Sequence, residues 1–218
     1  MSVNATAGFS IVTYTGTGAV GTIGHGLGVA PSMIIIKARS GTSNWTTYHA
    51  SLGNTSGVYL NLTNASFASS VYWNNTSPTS SVFTIGTGSD ENTSSVTYVA
   101  YCWSQVAGFS KFGSYTGNGS TDGTFVYTGF RPRYIIIKRT DTVGDWWILD
   151  TSRDNYNVMN NELFADTSGA EAGGNAGGTI DFLSNGFKLR CTTQPNTSSG
   201  TFVYACFAEN PFRNSLAR

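Results

Sequence analysis

Along the chain, short apolar runs rich in Val, Ile, Tyr, Phe and Thr are separated by Gly, Asn and Ser, and none has the length or the period of an amphipathic helix. That alternation predicts short strands joined by tight turns. The runs Met33-Ile34-Ile35-Ile36 and Ile135-Ile136-Ile137 contain no polar position, so each predicts a central strand covered on both faces. Pro31 and Pro132 stand just ahead of them, where a missing N–H is tolerated.

The pattern occurs twice. Gly8-Phe9-Ser10 returns as Gly108-Phe109-Ser110, Tyr14-Thr15-Gly16 as Tyr115-Thr116-Gly117, and Ile34-Ile35-Ile36-Lys37 as Ile135-Ile136-Ile137-Lys138. Asn44-Trp45 matches Asp145-Trp146, Ser81-Val82-Phe83-Thr84-Ile85 matches Asn185-Gly186-Phe187-Lys188-Leu189, and Tyr98 to Trp103 matches Phe202 to Phe207. A period of about a hundred residues exceeds that of a solenoid unit, so each copy is expected to be domain-like. The fold class is therefore all-β: two tandem antiparallel β-sandwich-like repeats, over 1–107 and 108–218, the second with a short C-terminal tail. Ala107-Gly108 joins the copies without a linker, which predicts that they pack together.

Charge narrows the function. In the 218 residues, 12 Lys+Arg balance 12 Asp+Glu and charged residues make up 11%, so nothing creates the field that attracts nucleic acid or an anionic membrane. The aliphatic runs fall far short of the ~20 residues that span a bilayer, and no membrane insertion is expected. Residues 1–8 lack the basic and apolar segments of a secretory signal, so the chain is expected to begin here. Of three cysteines, Cys102 and Cys206 fall at matching places and are expected to be buried reduced thiols. The Asn-x-Ser/Thr triplets at Asn54, Asn61, Asn64, Asn92 and Asn196 are polar loops in this setting.

Candidate chemistry is sparse. Gly16-x-Gly18-x-x-Gly21 matches the dinucleotide fingerprint in letters, but no helix follows to receive a pyrophosphate, and its counterpart Gly117-Asn118-Gly119 predicts a hairpin turn. His25 and His49 have no metal-ligand spacing, the second copy has no histidine, and no G-x-S-x-G elbow occurs. Asp141, Asp145, Asp150 and Asp154 could in principle form the carboxylate pair of a glycosidase, and with Asp166 and Glu171 a calcium site, though no EF-hand order is present; turn and cap roles account for them more simply. The run Gly173-Gly174-Asn175-Ala176-Gly177-Gly178 lacks the Lys and helix of a phosphate loop and is expected to be a surface loop. No catalytic residue, metal or cofactor is predicted. Trp45 and Trp146 recur and are expected to be structural, whereas Trp73, Trp147 and Tyr156 are the candidate exposed aromatic anchors.

The motifs Gly8-Phe9-Ser10, His25-Gly26-Leu27-Gly28-Val29-Ala30-Pro31, Tyr101-Cys102, the run from Gly108 to Gly117, the run from Asp181 to Arg190, and Ala208-Glu209-Asn210-Pro211-Phe212 together resemble a tandem-repeat β domain of uncharacterised function found in tail and fibre-like virion proteins of environmental bacteriophages. The resemblance implies a virion part displayed on the particle exterior, a tail-associated fibre or adhesin made in the host cytoplasm. It implies other virion proteins, further copies of the chain and a host-surface glycan as partners. Only a few residues precede the first copy, which favours a small independent part and keeps a capsid decoration protein as the alternative. A carbohydrate-active enzyme or lectin-like glycan binder is the third reading.

Overall fold

The computed structural model describes residues 1–174 and 178–209. Part of the Gly-rich run, residues 175–177, and the expected C-terminal tail from residue 210 onward lie outside them. The chain divides into two compact units: Met1–Asn61 with Ser66–Val106, and Leu62–Ala65 with Ala107–Arg218.

Unit 1 contains nine strands: β1 (Ser2–Asn4), β2 (Phe9–Thr15), β3 (Gly21–Gly24), β4 (Met33–Ala38), β5 (Thr46–His49), β6 (Ser56–Tyr59), β7 (Phe67–Ala68), β8 (Val82–Ile85) and β9 (Thr97–Trp103). They form a seven-stranded antiparallel sheet in the order β1-β2-β9-β4-β5-β6-β7 and a two-stranded sheet, β3-β8. Register fixes one inward face: Ser10 and Ile34 both stand opposite Cys102, and Val12 and Ile36 both stand opposite Ala100. This face meets Phe83 and Ile85 of β8 in one hydrophobic core. Fully burying a side chain of that size contributes roughly 1.5–3 kcal/mol. As the polar-free run predicts, β4 is central, and Ile35 on its other face is buried as well.

Two four-residue helices interrupt the strands, α1 (Ser70–Trp73) and α2 (Ser89–Asn92). The Ser69 side chain caps α1 by accepting from Val71 N at 3.3 Å, and Asn74 ends it in the left-handed region at φ 49°. The helix thereby delivers Trp73 into the core, edge-on to Tyr48 at 5.5 Å.

Unit 2 contains β10 (Ser110–Thr116), β11 (Phe125–Tyr127), β12 (Pro132–Arg139), β13 (Trp146–Asp150), β14 (Asn161–Phe164), β15 (Ala172–Gly173), β16 (Ile180–Leu183), β17 (Gly186–Leu189) and β18 (Thr201–Ala208). Its sheets run β10-β18-β12-β13-β14-β15 and β11-β17-β16. With β1 and β16 set aside, the two units have one strand order, and β12 holds the place of β4. β16 is an addition, turned onto β17 through Ser184 and Asn185. Ile135 and Ile137 of β12, Tyr204 and Cys206 of β18 and Phe187 and Leu189 of β17 share its core.

One expected turn differs. Gly117-Asn118-Gly119 does not close a hairpin, because β10 and β11 belong to different sheets; it carries the chain from one layer to the other.

Candidate functional site

A buried asparagine holds this layer-crossing turn in each unit. In unit 1 Asn92 Oδ1 accepts from Thr17 N at 2.8 Å, and its Nδ2 donates to Ala19 O at 2.8 Å and Gly86 O at 2.6 Å. In unit 2 Asn196 Oδ1 accepts from Asn118 N at 3.1 Å, and its Nδ2 donates to Ser120 O and to Cys191 O. Both side chains are fully buried, so neither triplet can carry a glycan in the folded chain. Beside each, a tyrosine hydroxyl donates to a backbone carbonyl: Tyr14 to Glu91 O at 2.7 Å and Tyr115 to Pro195 O at 2.8 Å. Gly16 and Gly117 are required because a Cβ at either would lie 2.2 or 2.3 Å from the carbonyl oxygen of Thr93 or Thr197. The first glycine of the fingerprint-like run thus serves close backbone approach, and Gly18 adopts a positive φ of 73°. The tetrapeptide Asn-Thr-Ser-Ser, at 92–95 and again at 196–199, was the sequence signal for these clasps.

The other polar groups with chemical potential are largely engaged in structure. His25 is buried, with Nδ1 accepting from Leu27 N at 3.2 Å and Nε2 on Thr79 O at 3.1 Å; burial pushes its pKa down. Asp141 is gripped by Arg139 at 2.9 and 3.0 Å and accepts from Thr201 N, and the arginine hydrogen bonds hold its pKa at about 2. Asp150 pairs with Arg153 at 2.6 Å, which also reaches Glu171 at 3.0 Å. Asp154 caps Asn160 N and Asn161 N at 2.5 and 2.6 Å, and Asp166 accepts from Trp146 N at 3.1 Å. Lys138 is buried, donating to Gly144 O and Thr63 O, and desolvation lowers its pKa to about 8. Among the described residues no group of three or more His, Cys, Asp or Glu is placed to hold a metal. No helix among them is long and apolar enough to cross a membrane.

The three aromatic candidates separate. Trp73 is 1% exposed because α1 turns it inward, and Trp147 is 9% exposed because β13 directs it into the core against Phe164, so neither projects as an anchor. Tyr156 is 85% exposed. Phe125 and Tyr127 on β11 are also exposed, on the outward side of an edge strand whose intervening Val126 points into the core. The strict alternation Phe-Val-Tyr was the available signal for that pair.

One groove in unit 2 gathers polar side chains. Asp145, Trp147, Thr192, Thr193, Gln194 and Thr197 line an open groove of about 410 Å3. Gln194 Oε1 lies over Gly144, where a Cβ would approach it to 2.2 Å, and its Nε2 donates to Val143 O at 3.3 Å. Asp145 is half-buried and accepts no hydrogen bond among the described residues.

A doubled antiparallel sheet with clasped crossing turns defines an all-β protein. The chain belongs to the family described as a domain of unknown function, DUF7483, which matches residues 1–211. No curated protein matches the sequence. Among solved structures it is similar to the crystal structure of the STIV MCP at 11% identity and a TM-score of 0.25, over 92% of this chain and 95% of that one, a likeness too slight to carry an argument.

Proposed function

We propose that the chain is a non-enzymatic virion structural protein displayed on the particle exterior, where it serves as a tail-associated fibre or adhesin in host attachment. The observation that carries the non-enzymatic part is the fate of the acidic cluster. Asp141, Asp150 and Asp154 are tied to Arg139, to Arg153 and to backbone N–H groups, which supports structural roles for them rather than the roles of a glycosidase pair. The virion part rests on the resemblance of the tandem motifs to phage tail and fibre-like proteins. Exposed Tyr156, Phe125 and Tyr127 suit contact with other virion proteins or further copies of the chain, since aromatic rings give contact area at low entropy cost. Repetition around a particle axis would add weak contacts into firm attachment through effective concentration.

The test is antibody labelling of virions from the phage that encodes the chain, viewed by electron microscopy. Label at the tail is expected. Label on the head would assign the capsid-decoration role instead, and particles free of the chain would overturn the virion reading.

A further inference from the structure

The groove in unit 2 occupies a place that unit 1 closes from within. Strand pairing makes Asn44 the counterpart of Asp145, since Tyr48 and Leu149 stand opposite Ile34 and Ile135. The clasps make Asp90 the counterpart of Gln194, since each stands two residues before its clasping asparagine. In unit 1 the two are bonded: Asn44 N donates to Asp90 Oδ1 at 2.9 Å and Asn44 Nδ2 to Asp90 Oδ2 at 3.2 Å. Tyr72 from α1 also reaches Asp90 Oδ2, at 3.5 Å. In unit 2 the carboxylate has moved to the other partner, and Asp145 has no hydrogen bond among the described residues.

We infer that this groove is a binding subsite for a neutral saccharide, a proposal that deepens the host-attachment reading and rests on it for its biological meaning. Its volume lies within the roughly 300–1,000 Å3 of small-molecule sites. Its chemistry selects the class of ligand. A carboxylate accepts from paired hydroxyls, while threonine hydroxyls and a glutamine amide both donate and accept, which matches a polyhydroxylated ring. An anionic ligand would meet the Asp145 charge, and a divalent cation would find one carboxylate in the lining where it needs several oxygens. Trp147 is too deeply packed to offer a ring face, so recognition runs through hydrogen bonds at the rim with the indole beneath. Gln194, seated over Gly144, fixes one wall before any ligand arrives.

The experiment uses the purified full chain on an array of neutral hexose and N-acetylhexosamine oligosaccharides with sulfated and sialylated glycans beside them, with hits re-measured by calorimetry. Millimolar or tighter binding of at least one of them is expected. Asp145→Asn, which places in unit 2 the residue found in unit 1, should weaken it about 10- to 100-fold, because a charged acceptor is lost. Thr192→Val should weaken it about fivefold, and both variants should melt with the parent chain. Failure of every neutral saccharide to bind, preference for sulfated or sialylated glycans, or binding that Asp145→Asn leaves intact would overturn the proposal. Because the array reads the isolated chain and labelling reads the particle, failure of this site leaves the virion reading standing, and the reverse also holds.

Discussion

Gly113 stands directly opposite Tyr204 across the β10–β18 pair, so close that a Cβ on the glycine would lie 2.7 Å from the tyrosine hydroxyl. The corresponding pair in unit 1 is Val12 opposite Ala100. The two pairs distribute core bulk in opposite ways on one scaffold, with a large residue on β18 matched by none on β10. Gly113→Ala should therefore destabilise unit 2 by about 1–3 kcal/mol through overpacking. The double change Gly113→Val with Tyr204→Ala, which copies the unit 1 pair, should recover part of that loss. Denaturant melts of the parent, single and double variants measure the coupling; strict additivity would show that the two sites do not share space.

The clasping asparagines lead to a second expectation. Asn196→Ala leaves Asn118 N and two carbonyls without their partner, at a cost of about 2–4 kcal/mol; Asn92→Ala does the same to Thr17 N, Ala19 O and Gly86 O in unit 1. Tyr115→Phe removes one hydrogen bond to Pro195 O and should cost only about 0.5–1.5 kcal/mol. Chemical denaturation followed by tryptophan fluorescence separates the two magnitudes, and an Asn196→Ala chain as stable as the parent would refute the clasp.

Glu91 sets a pH dependence. It is fully buried in α2, its Oε1 accepts from Gly86 N at 3.2 Å, its Oε2 has no partner, and burial raises its pKa to about 9. A carboxyl whose folded pKa lies above the unfolded value of 4.5 contributes stability that is complete below about pH 4.5 and is lost as pH rises toward 9. Its share of the slope is about 1.4 kcal/mol per pH unit inside that window. Glu91→Gln removes the titration, so the stability difference between parent and variant should grow with pH; a difference that stays flat from pH 5 to about 8.5 would contradict the burial.

The aromatic candidates now call for opposite results. Trp73→Ala should cost about 3–5 kcal/mol, since it empties a core position, whereas Tyr156→Ala should change stability by less than about 0.5 kcal/mol and weaken self-association or attachment instead. Melting curves and light scattering distinguish the two.

What the sequence disclosed was whatever strand chemistry marks on its own. The runs from Ile34 and Ile135 show central strands because nothing polar interrupts them, and Cys102 and Cys206 show buried positions because they sit inside strand-like runs. Trp73 misled because no aromatic residue of the second copy aligns with it, so a residue without a repeat looked like surface decoration. Asn92 and Asn196 resembled ordinary loop residues, and only the approach of Gly16 and Gly117 to the following turns makes them internal. Asp145 could not be told from its acidic neighbours, since what distinguishes it is that among the described residues it lacks the hydrogen bond that Asp141, Asp150 and Asp154 each possess.

The three thiols give each unit its own clock. Cys102 lies in unit 1 and Cys191 and Cys206 in unit 2, all buried and unpaired, and burial raises their pKa values, to about 12 and about 11 for the first two. Alkylation requires a thiolate within reach of the reagent, so each sulfur reacts only when the sheet around it opens. Labelling followed by peptide mass spectrometry would then time the opening of one unit independently of the other in solution, without any foreign probe in the chain.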